Sequence, residues 1–321
     1  MSNSWFKSRK QCPACNSIDL KTIYENRYNE FPIKDYLTNF YADQGMVEFE
    51  YLEGVSYLLC ECGKCGLIFQ KEIPGDFLME RLYEHWINPS KVFLQHYDED
   101  NLEYYSNYAQ EIMRMISYFN AIPSSLDFFD FGMGWGKWAL MAKAFGCNSY
   151  GTELSAERIE YAKSCGINIV KGTEIHEHQF DLINTEQVFE HIPDPLNTLI
   201  YLKGALKPDG IIKISVPTAN NISKLLKKMD WKAEKGSKNS LNPIAPLEHI
   251  NFYRYSSILK MADMAGMEEV FIPIQKYQKY TINWIGPKAI VKNILRPIYR
   301  RVFRNQNYIL LRNKTQNLGN I

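Results

Sequence analysis

LDFFDFGMGWGKWALMAKAFG, residues 126–146, is an apolar run that breaks into three closely spaced glycines and resumes with a helical pattern. The stretch reads as strand, tight loop and helix. Asp130 falls near the strand's carboxyl end, while Gly132, Gly134 and Gly136 let the chain turn sharply and leave room for a ligand. In an open parallel sheet, ligands bind in the crevice at this end of the strands. A dinucleotide fingerprint would have its third glycine at Lys137; here it comes one residue early, which counts against NAD.

The following apolar run, CNSYGTEL, ends near Glu153, 23 residues beyond Asp130, where an acidic side chain accepts ribose hydroxyls. A nucleoside without a pyrophosphate is therefore expected. Further runs at INIVKG, FDLINTE and GIIKISVP alternate with helical stretches, the pattern of a doubly wound parallel sheet.

DFGMGWG, YGTELS and FDLINTEQVFEHIPDP, in that order and spacing, resemble the class I S-adenosylmethionine-dependent methyltransferases over roughly residues 126–272. The resemblance implies a Rossmann-like sheet of seven strands, the last antiparallel, with S-adenosylmethionine held by Asp130, Gly132, Gly134, Gly136, Glu153 and Gln187. It places adenine near KGTEIHEHQ, making Thr173 and Glu174 candidates, with a solvated carboxylate as the other reading of Glu174. In the superfamily Glu190 and His191 of EHIPDP look structural. PLEHINFY resembles the acid–base segment of sugar methyltransferases, so Glu248 and His249 are the leading catalytic candidates; the other reading of His249 is a cap for the next helix.

CPAC and CECGKC carry two C-x-x-C knuckles, Cys12 with Cys15 and Cys62 with Cys65. Four converging thiolates make a closed tetrahedral zinc site, hence a structural one. Cys60 offers an alternative C-x-C ligand, and Cys62 is preferred because its spacing repeats that of the first knuckle. Similar four-cysteine modules precede the fold in bacterial sugar methyltransferases and in some ribosomal RNA methyltransferases. Seven cysteines, five of them before residue 66, suit metal ligation in a reducing compartment better than disulfides.

The expected organisation is a zinc-binding β module (1–75), a helical cofactor-covering linker (76–125) and the methyltransferase domain (126–321). A substrate insertion is expected at 217–250 and a basic amphipathic segment at 287–304. The linker's helical run spaces Leu102, Tyr105, Ile112, Met115 and Phe119 as a core face, and Tyr83, His85, Tyr97 and Tyr104 are aromatic candidates for bordering the sulfonium. In the tail, Lys288, Lys292, Arg296, Arg300 and Arg304 recur every fourth residue beside Ile290, Ile294, Ile298 and Val302, and Pro297 should kink or divide the helix. This is either one core and one solvated face, or a surface for something anionic, a membrane or a phosphorylated substrate.

A net charge of +1 gives no global pull toward nucleic acid. With neither a signal-peptide core nor 18 uninterrupted apolar residues, a cytoplasmic protein is expected, peripheral to the membrane if the tail binds there. Three functions remain open at this point: methylation of a small molecule or glycan, such as a sugar, nucleotide-sugar or surface-polysaccharide precursor; methylation of RNA gripped by the zinc module and basic tail; or a non-catalytic scaffold retaining the cofactor site. Oligomeric state is not encoded in these patterns.

Overall fold

The computed structural model describes residues 5–42, 45–87, 102–234, 237–272, 287–303 and 308–313. Tyr97 and Arg304 lie outside them, as do the side chains of Tyr104, Ile290 and Arg300. Elements are numbered along the chain, which divides into two compact units.

The first unit comprises Met1–Asp100, Glu190–Leu196 and Pro217–Met261. Strand β1 (Phe6–Ser8) pairs antiparallel with β5 (Glu72–Pro74), and a second sheet has the order β11 (Asn251–Phe252), β4 (Ile68–Gln70), β3 (Ser56–Cys62), β2 (Leu20–Arg27), all antiparallel. β3 and β4 form the hairpin that carries the second cysteine knuckle. Helices α1 (Ile33–Phe40) and α2 (Asp76–Arg81), the latter extended by a wide turn at Leu82–Trp86, cover this sheet's apolar core. Late residues complete that core: Ile222 from α7 (Ile222–Lys228), Trp231, Ile244, Leu247 and Phe252 pack with Tyr28, Tyr57 and Trp86. Residues 217–250 are thus built into the packing of this unit. Truncating a buried Ile244 or Leu247 to alanine would cost about 2–5 kcal/mol.

Arg9 explains how chain segments so far apart in sequence stay together. Its guanidinium donates to the carbonyls of Ile250 (3.2 Å) and Pro193 (2.9 Å) and to Asn251 Oδ1 (2.7 Å), tying three segments of the unit at one point. The planar fork of fixed N–H groups suits such a three-way clasp better than the compact ammonium of a lysine.

The second unit comprises Asn101–Phe189, Asn197–Val216 and Ala262–Ile321. Its sheet has the order β12 (Met267–Glu269), β13 (Tyr308–Asn313), β10 (Leu206–Ser215), β9 (Phe180–Glu186), β6 (Asp127–Phe131), β7 (Asn148–Thr152), β8 (Asn168–Ile169). β13 runs antiparallel to both neighbours, and the other adjacent pairs are parallel. This is the expected doubly wound α/β sheet of seven strands with the last reversed. Helices α3 (Leu102–Phe119), α4 (Lys137–Ala144) and α5 (Ala156–Ser164) belong to this unit, while α6 (Pro195–Lys203) leads into β10 and α8 (Tyr255–Met264) into β12. In α3 the expected core face holds only in part. Ile112 and Met115 are fully buried, whereas Leu102 and Tyr105, in its first turn, are exposed. The tail helix α9 (Pro287–Val302) runs through Pro297 as one element, so the proline does not divide it.

Candidate active site

In the second unit, β6, β7 and β9 end side by side and place three predicted cofactor residues at one edge. Asp130 is the fourth residue of β6, Glu153 follows β7, and Gln187 follows β9. The amides of Gly132 and Met133 donate to the Thr152 carbonyl at 3.1 and 3.0 Å, which fastens the glycine loop to the end of β7. A Cβ on Gly132 would meet Val188 at 2.8 Å and one on Gly136 would meet Ile167 at 2.7 Å, whereas Gly134, φ +54°, has nothing within 4 Å. Two of the glycines therefore serve packing, and Gly134 borders open space, as a loop that admits a ligand against its backbone must.

Glu153 is already pinned. Its Oε1 accepts from the amides of Leu154 (2.8 Å) and Ser155 (3.1 Å), and its Oε2 accepts from Gly134 N (2.9 Å), with Arg158 Nη1 at 3.8 Å. A carboxylate has about four lone-pair sites, so Oε2 keeps capacity for a ligand hydroxyl. Leu154 beside it is 100% exposed, an unpacked apolar surface at the same edge. Asp130 is buried and accepts from Asn184 Nδ2 at 2.7 Å; burial pushes its pKa up to about 7, opposed by that hydrogen bond. Gln187 is exposed in left-handed backbone, φ +54°, and its amide is held by Ser215 O at 2.8 Å. Thr173 is exposed, and Glu174 pairs with Lys171 at 2.9 Å on the surface.

Beneath this edge lies a network that motif reading did not include. Lys213, buried in β10, donates to Glu111 Oε1 (2.5 Å) and Glu186 Oε2 (3.3 Å), and Trp138 Nε1 donates to Glu111 at 2.7 Å. Despite burial, which lowers it, the two carboxylates hold the Lys213 pKa above the ordinary lysine value. The ammonium in turn fixes Glu186 at the end of β9, immediately before Gln187. The signal was present in the sequence: one lysine inside the apolar strand GIIKISV.

The first unit holds the second group of candidates. His249 Nδ1 lies 3.1 Å from the Pro243 carbonyl, which can only accept, so Nδ1 carries the proton of the neutral ring. The His191 ring is 4.9 Å from that of His249, and its Nδ1 lies 2.8 Å from the Glu248 carbonyl, with Tyr83 Oη at 3.3 Å. Burial, with a smaller effect of the neighbouring His249, pushes the His191 pKa down to about 3. The Glu248 carboxylate receives the Tyr41 hydroxyl, and the pairing that orients the His249 ring is with Pro243. Leu247, buried, has φ +75°, a left-handed conformation costing a branched residue roughly 1–2 kcal/mol. At the start of helix α8, Arg254 N donates to Ser257 Oγ at 3.0 Å. His85 sits in the wide turn after α2.

Also in the first unit, Cys12, Cys15, Cys62 and Cys65 converge, their sulfurs all within 4.8 Å of one another. Cys12 to Cys65 and Cys15 to Cys62 each measure 3.6 Å. The edge of a tetrahedron built on Zn–S bonds of about 2.3 Å is roughly 3.8 Å, so the donor set fits zinc in spacing and in chemistry. Cys60 points elsewhere, toward Thr22 Oγ1 at 4.0 Å.

A seven-stranded sheet with one reversed strand, a glycine loop open at Gly134 and a pinned acid after the second core strand define a nucleoside-binding α/β protein of the methyltransferase type. A family model described as a methyltransferase domain matches residues 97–270, more than half of the chain. The chain belongs to this family and is an S-adenosylmethionine-dependent methyltransferase. It is 30% identical over 168 residues to a ubiquinone biosynthesis O-methyltransferase of Actinobacillus pleuropneumoniae, covering 48% of this chain and 68% of that protein. The Vibrio cholerae enzyme of the same name is 27% identical over 186 residues, 54% of this chain and 73% of the other. Among solved structures, a possible histamine N-methyltransferase of Thermotoga maritima overlays with a TM-score of 0.38 at 18% identity, over 56% of this chain and 81% of that one.

Proposed function

We propose that the protein transfers a methyl group to a hydroxyl of a small-molecule or glycan acceptor, a sugar or a nucleotide-sugar or surface-polysaccharide precursor. Bound S-adenosylmethionine supplies the methyl already activated on a positive sulfur, so the protein must hold the cofactor, align the acceptor and remove one proton. Glu153 Oε2 takes the ribose, Asp130 and Gln187 border the amino-acid portion, and Thr173 with Leu154 flanks the adenine. His249 accepts the hydroxyl proton at Nε2, and Glu248 and Tyr41 brace its segment.

The observation that supports the base assignment is the hydrogen bond between His249 Nδ1 and Pro243 O, which puts the proton of the neutral ring on Nδ1 and makes Nε2 the nitrogen that would take up a second one. The left-handed Leu247 two residues earlier adds to it, because backbone strain of this kind persists where surrounding structure enforces a particular side-chain placement. A structural zinc on the four cysteines would hold the two knuckles together and has no coordination position left for chemistry.

The relatives favour a second acceptor. Both are named as O-methyltransferases of ubiquinone biosynthesis, which keeps the hydroxyl and replaces the sugar by a ubiquinone intermediate. The two readings separate by assay: purified protein with S-adenosylmethionine is offered nucleotide sugars, surface-glycan precursors, phenolic hydroxyl acceptors and RNA, and release of the demethylated cofactor is measured. Turnover with a sugar supports the first reading, turnover with a phenol the second. Turnover with RNA alone overturns both.

A further inference from the structure

We propose that α9 is an in-plane anchor that seats the second unit on an anionic lipid surface. An amphipathic helix of a globular domain buries its apolar stripe, as α3 does with Ile112 and Met115. In α9 every described side chain is exposed. Val291, Ile294, Leu295, Ile298, Tyr299 and Val302 are between 40 and 66% accessible to water. At 3.6 residues per turn they fall within an arc of roughly 140°. That is a continuous apolar stripe of interfacial width facing solvent.

The cations beside this stripe give the charge of the partner. Lys292 and Arg296 border the stripe on one side and Arg301 on the other, Lys288 stands at the first turn, and the helix PKAIVKNILRPIYRRV contains no acid. Basic residues flanking an exposed apolar stripe match a surface with negative headgroups above acyl chains, each cation near such a surface adding to the attraction. The helix is about 24 Å long, short of the roughly 30 Å hydrocarbon layer, so it lies along the membrane. No helix among the described residues is long and apolar enough to cross one. RNA would use the cations and leave six apolar side chains in water, which decides between the two anionic partners.

The test uses the full-length protein and sedimentation with vesicles of phosphatidylcholine alone or mixed with phosphatidylglycerol. Binding to the mixed vesicles, weakening as salt is added, is expected, with little binding to pure phosphatidylcholine. Ile294→Glu with Ile298→Glu should lower partitioning by about tenfold or more, since each change removes an apolar anchor. These side chains already face water, so the variant should keep its thermal midpoint and its cofactor affinity. Equal binding of wild type and variant would overturn the proposal. So would salt-sensitive binding to a single-stranded RNA oligonucleotide without binding to the mixed vesicles.

Discussion

Asn16 and Gly66 occupy the same place in the two cysteine knuckles. Each follows the second cysteine, each is left-handed (φ +57° and +77°), and each amide donates 2.9 Å back to the carbonyl of its knuckle's first cysteine, Cys12 or Cys62. The match continues outward, with Cys12 N bonded to Ser17 O and Cys62 N to Leu67 O, both at 2.9 Å. Two copies of one turn place their sulfurs face to face, and Cys60 falls outside the repeat.

This symmetry makes a metal prediction. Protein purified without chelator should contain one zinc per chain, lost in Cys62→Ser and kept in Cys60→Ser. Elemental analysis of the two variants checks it; metal retained in Cys62→Ser would exclude the knuckle assignment. Because a closed site stabilises its surroundings, chelation should lower the thermal midpoint of the first unit before cofactor affinity changes.

The glycine loop gives a contrast between neighbours. Gly136→Ala puts a methyl 2.7 Å from Ile167 and should destabilise the fold by about 1–3 kcal/mol. Gly134→Ala meets no atom, so its cost is the left-handed backbone, about 1 kcal/mol, together with loss of the space the cofactor needs. Thermal unfolding and calorimetry with S-adenosylhomocysteine should show the first variant losing mainly stability and the second mainly affinity. The reverse order would mean that the ligand does not sit against Gly134.

Glu153→Ala should weaken cofactor binding by about tenfold or more, since it removes charge-assisted hydrogen bonds worth roughly 1.5–3 kcal/mol each. It also frees the amide of Gly134, so a smaller loss of stability accompanies it. Calorimetry showing unchanged affinity would end the ribose assignment.

His191 predicts an acid sensitivity. Its folded pKa is lowered to about 3 while the unfolded chain's is about 6.5, so between those values the unfolded state binds the extra proton. The stability it contributes is complete above about pH 6.5 and is lost as pH falls toward 3. Denaturant unfolding across this window should therefore show a steeper decline for the native protein than for His191→Asn, which retains a donor toward the Glu248 carbonyl. Equal declines would show that the imidazole is not kept neutral by its surroundings.

Local patterns carried much of this structure into the sequence. Glycine spacing marked the β6 loop, alternating runs gave the order of sheet and helix, and repeated C-x-x-C gave the thiol cluster, because each depends on residues close in sequence. What they did not carry is the return of residues 190–196 and 217–261 to the first unit. That return rests on β11 pairing with β4, Asn251 opposite Phe69, and on the Arg9 clasp, contacts across more than 180 residues with no local signature. PLEHINFY was legible as a segment, but the tautomer of His249 was not, since Pro243 sets it through a turn that periodicity cannot show. The exposed Leu102 and Tyr105 show the complementary limit: helical spacing marks a face without saying how much of its length is covered.

The most direct test of the account is turnover of His249→Ala, measured beside its S-adenosylmethionine affinity and thermal midpoint with the acceptor the screen identifies. A base acting at Nε2 predicts turnover lowered by roughly 10² to 10⁴ with cofactor affinity nearly unchanged and the fold intact. Full turnover in a folded, cofactor-binding variant would contradict it.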